Sequence, residues 1–128
     1  MKDKISAVKE FHKAFKLDYL DEPKADLGTD KNKLRFNLMK EENEEYFEAA
    51  NNNDVVEVAD ALGDMLYILC GTIIEHGMQH KIDEVFSEIQ NSNMSKLGAD
   101  GNPIYREDGK VLKGPNYFKP NIKGVLEG

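Results

Sequence analysis

The sequence predicts an all-α protein, an antiparallel helical bundle of four main helices followed by an extended C-terminal tail with a small β-hairpin. Three observations carry this. Apolar residues recur at three- and four-residue spacing in four successive stretches ending near Asn93, which is the period of a helix face. Beyond Lys96 the texture changes to LGADGNPIYREDGKVLKGPNYFKPNIKG, rich in Gly, Pro and Asn. A length of 128 residues suits one domain with a real core and is too short for two. The expected organisation is therefore a single domain, 1–128, with a helical core over about 4–96 and a tail over 97–128.

Ile5, Val8, Phe11 and Phe15 mark the first helix, from Lys4 to about Lys16. His12 stands beside Phe11 at the edge of that stripe, where it either joins the core or, with Phe15, stacks on a ligand's aromatic ring. The next fourteen residues, LDYLDEPKADLGTD, carry Pro23, Gly28 and clustered Asp residues and read as a loop. Its length suits a lid or binding wall, and simple mobility explains it equally well. The second helix opens at Asp30 as N-cap and runs to about Asn51, with Leu34, Leu38, Tyr46 and Phe47 among its buried residues.

Asn51 to Asp54 reads as a tight turn, because Asn tolerates left-handed backbone and Asp is a good N-cap. The third helix then runs from Asp54 to about His76 and ends at Gly77. Val55, Val58, Ala59, Leu62, Met65, Leu66, Ile68 and Leu69 make it apolar almost all round, as a buried helix would be. Gly63 and Gly71 within it each cost about 1 kcal/mol relative to Ala and point to close helix packing. A fourth helix spans about Lys81 to Asn93 on Ile82, Val85, Phe86, Ile89 and Met94. In the tail, Asp108-Gly109 between IYR and VL suggests a hairpin with a two-residue turn.

A formal charge of −7 and a pI near 5.0 disfavour nonspecific binding to nucleic acid polymers or anionic membranes. The charge is uneven: residues 1–95 carry 11 Lys/Arg against 20 Asp/Glu, and 96–128 carry 6 against 4. The lone cysteine, Cys70, cannot form an intrachain disulfide, and within MLYILCGTII it reads as a buried small hydrophobe. The N-terminal MKDKISAVKEFHK has no apolar signal core, and no segment approaches 18 uninterrupted apolar residues. A cytoplasmic protein is expected.

The chemistry concentrates between Glu41 and Asp64. Glu41, Glu42, Glu45 and Glu48 share one helix face, and Glu57, Asp60 and Asp64 share another. At about 1.5 Å of rise per residue, Glu45 lies about 9 Å before Asn51 and Asp60 about 9 Å after Asp54, so the stripes of an antiparallel pair meet at one height. Acids converging in a partly apolar hairpin repel, and hard divalent cations with oxygen ligands relieve the repulsion. Mg²⁺ is favoured, with Mn²⁺ as a substitute. Glu57 has a competing role, since its spacing from Asp54 fits a capping box. That alternative does not account for Asp60 and Asp64 in an otherwise apolar helix.

The acids read Glu41-Glu42-Asn43-Glu44-Glu45, then, after eleven residues, Glu57-Val58-Ala59-Asp60. This resembles the Glu-Glu-x-x-Glu and Glu-x-x-Asp motif of the all-α nucleoside triphosphate pyrophosphohydrolases, the MazG-like group that includes phosphoribosyl-ATP pyrophosphatases and dimeric dUTPases. The spacer is slightly short for that group, as a trimmed turn would make it. EFHKAF, ALGDMLYILCGTIIEHG and NSNMSKLGADGNPIYREDGKVLKGPNYF extend the resemblance over nearly the whole chain.

The resemblance implies hydrolysis of a nucleoside triphosphate between its α- and β-phosphates, and a homodimer or homotetramer. Glu41, Glu42, Glu45, Glu57 and Asp60 are then the expected Mg²⁺ ligands, with Asp64 a further ligand or a supporting acid, and Glu44 and Glu48 left to solvent. Glu42 is the expected proton acceptor. Asn93 and Lys96 resemble the family's phosphate-contacting pair, with Lys113 a third contact, although a lysine at a helix C-terminus also satisfies the dipole. Tyr67, one turn beyond Asp64, either lines the nucleotide pocket or belongs to the core, and His12, Phe11 and Phe15 are candidates for base recognition. Phosphoribosyl-ATP hydrolysis and a catalytically silent nucleotide-binding scaffold remain alternatives.

Overall fold

A computed structural model describes all residues, 1–128, and shows an all-α chain with five helices. It divides into two compact units, Met1–His80 and Lys81–Gly128. The fourth helix falls in the same unit as the tail. No helix is long and apolar enough to cross a membrane.

The first unit holds α1 (Lys2–Ala14), α2 (Thr29–Asn51) and α3 (Val55–Glu75). The α2 and α3 helices form an antiparallel hairpin, and α1 packs on α3. The turn between α2 and α3 follows from local chemistry. Asn53 adopts φ 54°, its amide donates to Ala50 O at 3.1 Å, and the Asp54 amide donates to Ala49 O at 3.0 Å. These two bonds satisfy carbonyls that the end of α2 would otherwise leave orphaned. Gly77 closes α3 in the same way, at φ 69°, with its amide on Ile74 O and that of Met78 on Ile73 O. The loop after α1 is tied to this end, since the Leu20 amide donates to Ile74 O and the Lys24 amide to His76 O.

Burial departs from the sequence expectation. The buried apolar residues are Ile5, Val8, Ala49, Ala61, Cys70, Ile73 and Ile74, and the α3 helix is not buried all round. Val55, Val56, Leu62, Tyr67 and Leu69 of α3 are exposed, as are Leu34, Phe36, Tyr46 and Phe47 of α2. The physical reason is that a two-helix contact covers one stripe of each partner, and α1 covers only part of what remains.

A buried polar network fills the seam instead. Arg35 Nη1 lies 2.9 Å from Glu75 Oε2, which also faces His12 Nε2 at 3.1 Å. Arg35 further donates to Ile68 O and Thr72 Oγ1, and Lys31 Nζ lies 3.7 Å from Glu75 Oε1. Gly71 is shaped by this cluster, because a Cβ there would meet Arg35 Nη2 at 2.8 Å and His12 Cε1 at 3.1 Å. Gly63 corrects the other half of the packing expectation: a Cβ there meets nothing within 4 Å.

The second unit holds α4 (Ile82–Met94) and α5 (Ile122–Glu127), the latter unforeseen in the sequence. Its tail is pinned along α4 by Ser92 Oγ donating to Phe118 O (2.8 Å) and by the Asn121 amide donating to Glu88 Oε1 (2.8 Å). The hairpin reduces to one antiparallel bridge, Tyr105 with Val111. Its turn is longer than the predicted two residues: the Gly109 amide donates to Arg106 O, with Gly109 at φ 87°. That is a three-residue loop ending in a left-handed glycine.

Candidate active site

The acidic cleft of the first unit forms where the α2–α3 hairpin opens towards its turn. Glu45, Glu48, Ala49, Asn52, Asp54, Glu57, Asp60 and Ala61 line a cavity of about 340 Å³ there. One helical turn further along α2 from the cleft, Glu42 is half-buried. Burial pushes its carboxyl pKa above the ordinary value, and the hydrogen-bonded Glu45 carboxyl and the charges of Asp64 and Asp60 push the same way. Glu42 therefore lies within reach of acids from both helices. Its Oε2 is buried without a hydrogen-bond partner. Leaving such an atom unsatisfied is costly, and a bound cation is one way to satisfy it.

Glu57 resolves in favour of the cleft. The Asp54 side chain accepts from the Glu57 amide at 3.1 Å, but the Asp54 amide is already spent on Ala49 O. The reciprocal half of a capping box is therefore closed to the Glu57 carboxylate, which lines the cavity with Asp60. Glu48, assigned to solvent from sequence, lines it too. Its i,i+3 relation to Glu45 was the available signal. Glu41 is exposed and is not among the lining residues, while Glu44 is exposed and 3.9 Å from Lys40. No three carboxylates stand close enough together to chelate an ion with the side chains as they lie. The donor set is nevertheless all-oxygen, and with the orphaned Glu42 Oε2 it fits Mg²⁺ chemically.

The remaining expected site residues divide. His12 is corrected: it is only 3% exposed, and both ring nitrogens face acceptors inside the chain, Val8 O and Glu75 Oε2 at 3.1 Å each. It is a packing residue and has no free face for a ligand ring. Phe15 is exposed and stacks on Phe11 with centroids 4.4 Å apart, and Tyr67 meets the Phe11 ring edge to face at 5.7 Å. In the second unit, Asn93 and Lys96 line a cavity of about 340 Å³ with Met94, Leu97, Pro103 and Val111. Lys113 Nζ sits 4.7 Å from the Tyr117 ring centroid. Cys70 is fully buried, and burial raises its thiol pKa, so it is no nucleophile.

The family model described as Phosphoribosyl-ATP pyrophosphohydrolase matches residues 8–93, about two thirds of the chain. The chain belongs to this family. Its helices also superpose on a crystal structure from Exiguobacterium sp. 255-15, provisionally assigned as an NTP pyrophosphohydrolase. That match has a TM-score of 0.54 and 25% sequence identity, and covers 97% of this chain and 94% of the other. No curated protein matches. Family and fold agree on a nucleotide pyrophosphohydrolase.

Proposed function

We propose that the protein is a Mg²⁺-dependent pyrophosphohydrolase that cleaves a (deoxy)nucleoside triphosphate between its α- and β-phosphates, releasing monophosphate and pyrophosphate. The observation that carries this is Glu42, whose buried, unpartnered Oε2 sits in the combined field of Glu45, Asp60 and Asp64. Glu42, Glu45, Glu57, Asp60 and Asp64 would hold Mg²⁺, with Glu41 at the periphery. When bound, the ion supplies phosphate charge neutralisation and a more acidic water.

The chain's own contribution is positional. Water oxygen bonds to phosphorus, the bridging P–O bond breaks towards the leaving group, and the water's proton passes to a carboxylate. Glu42 is proposed for that step because it lies among the acids of both helices, within reach of Glu45, Asp60 and Asp64.

Phosphoribosyl-ATP as substrate is a second reading, favoured by the family that matches residues 8–93. A homodimer or homotetramer is proposed for either reading. It is supported by the exposed Phe36 and Leu69 and by the apolar groove of Met39, Met65, Leu66 and Leu69. The proposed setting is the cytoplasm, in nucleotide-pool maintenance.

The test is pyrophosphate release from a panel of dNTPs, NTPs and phosphoribosyl-ATP in Mg²⁺, beside an Asp60→Asn variant. Turnover by the wild type, lost in the variant, is expected, and the preferred substrate separates the two readings. Turnover of nothing would leave a silent nucleotide-binding scaffold.

A further inference from the structure

Gly63 is a helix-interior glycine that its own chain does not explain. Glycine weakens a helix by its backbone entropy, and close approach of another group is the usual reason to find it there. Gly71 has such a reason in Arg35 and His12, whereas a Cβ on Gly63 meets nothing within 4 Å. Gly63 instead lines a groove of about 240 Å³ between α1 and α3, with Lys4, Ala7, Val8, Leu66, Tyr67 and Cys70.

Two features indicate what the groove takes. Asp60, Gly63, Asp64 and Tyr67 follow at i, i+3, i+4 and i+7, so they share one face of α3. The groove therefore lies on the same face of α3 as two of the carboxylates assigned to the phosphates. Its lining is mostly aliphatic, with Tyr67, 43% exposed, as its one aromatic residue and Lys4 as its one charged residue. Apolar walls with a few polar groups at the margin suit a flat, uncharged ring. Tyr67 is braced edge to face by Phe11 at 5.7 Å, which holds it in place beside such a ring.

We infer that the α1–α3 groove receives the nucleoside of the substrate whose phosphates lie at the acidic cleft, and that the bare Cα of Gly63 lets the base lie against α3. This rests on the nucleotide reading of the cleft. It assigns base binding to Ala7, Gly63, Leu66 and Tyr67, in place of the buried His12.

The test uses full-length Gly63→Leu and Gly63→Ala, both helix-compatible changes into open space. Binding of the α,β-imido analogues of dATP and dTTP and of inorganic pyrophosphate is measured by calorimetry in Mg²⁺, with melting temperature and light-scattering mass alongside. Gly63→Leu is expected to weaken the better-bound analogue by at least about tenfold. Pyrophosphate affinity and mass should be unchanged, the melting temperature no lower, and Gly63→Ala intermediate.

Unchanged analogue binding in Gly63→Leu overturns the assignment. So does a changed mass, which would give the groove to a second copy of the chain. Analogue binding sensitive to Gly63→Leu in a protein that hydrolyses nothing would keep the groove assignment and remove the hydrolase reading. Hydrolysis indifferent to Gly63→Leu would do the reverse, and a wild type that binds neither analogue removes both.

Discussion

The Asp54 carboxylate accepts a hydrogen bond from the Glu57 amide at 3.1 Å, while the Asp54 amide donates to Ala49 O at 3.0 Å, so Glu57 gives nothing back to the cap and is among the residues that line the cleft. Capping and ligation compete for Glu57 on spacing alone; the reciprocal capping bond is absent, and the proposed function assigns Glu57 to the metal. Asp54→Ala should lower stability by about 1 kcal/mol through loss of the cap. Glu57→Gln should leave the melting temperature nearly unchanged while reducing pyrophosphate release. A Glu57→Gln variant as destabilised as Asp54→Ala would return Glu57 to the cap.

Glu42 makes the metal-free protein sensitive to alkali. Burial, then Glu45, Asp64 and Asp60, raise its folded-state pKa above the unfolded value. The stability that the protonated form contributes is therefore present below the unfolded value and is lost as pH rises through the raised folded one. In EDTA the melting temperature should fall across that window, and Glu42→Gln should remove the fall. Mg²⁺ should restore more stability on the alkaline side than on the acidic side, because the ion binds the ionised carboxylates. Melting curves that respond to Mg²⁺ equally at both ends would contradict this.

Glu75 joins Arg35, His12 and Lys31 across three elements, at 5% exposure. Glu75→Ala leaves the Arg35 guanidinium buried and short of its partner, and should cost about 3–5 kcal/mol in urea unfolding. Gly71→Ala should also destabilise, since its Cβ would crowd Arg35 Nη2 at 2.8 Å, whereas Gly63→Ala should not. Equal effects at the two glycines would count against the packing described.

Gly77 combines φ 69° with a Cβ position that overlaps the Glu22 backbone. Gly77→Ala should therefore shift the loop after α1 and lower the melting temperature. Faster hydrogen exchange at the Leu20 and Lys24 amides, which bond to the end of α3, would be the local signature.

Local rules were legible in the sequence where one residue's chemistry decides the outcome. Asn53 and Asp54 built the predicted turn, and Gly77 ended α3. Long-range pairing was not legible: nothing around His12 signals Glu75, 63 positions away, so a buried network residue read equally well as a ligand contact. Periodicity showed which residues share a face of α3 but not what that face meets. Leu62 and Leu69 therefore looked buried and are exposed. Glu48, assigned to solvent, is exposed and also lines the cleft, on the same helix face as Glu45.

The most direct measurement is a ³¹P NMR time course of one dNTP with the wild-type protein and Mg²⁺, repeated with Glu42→Gln. The account predicts monophosphate and pyrophosphate in equal amounts, with the rate falling about a hundredfold or more in the variant. Orthophosphate with the diphosphate, or wild-type rates in Glu42→Gln, would contradict it.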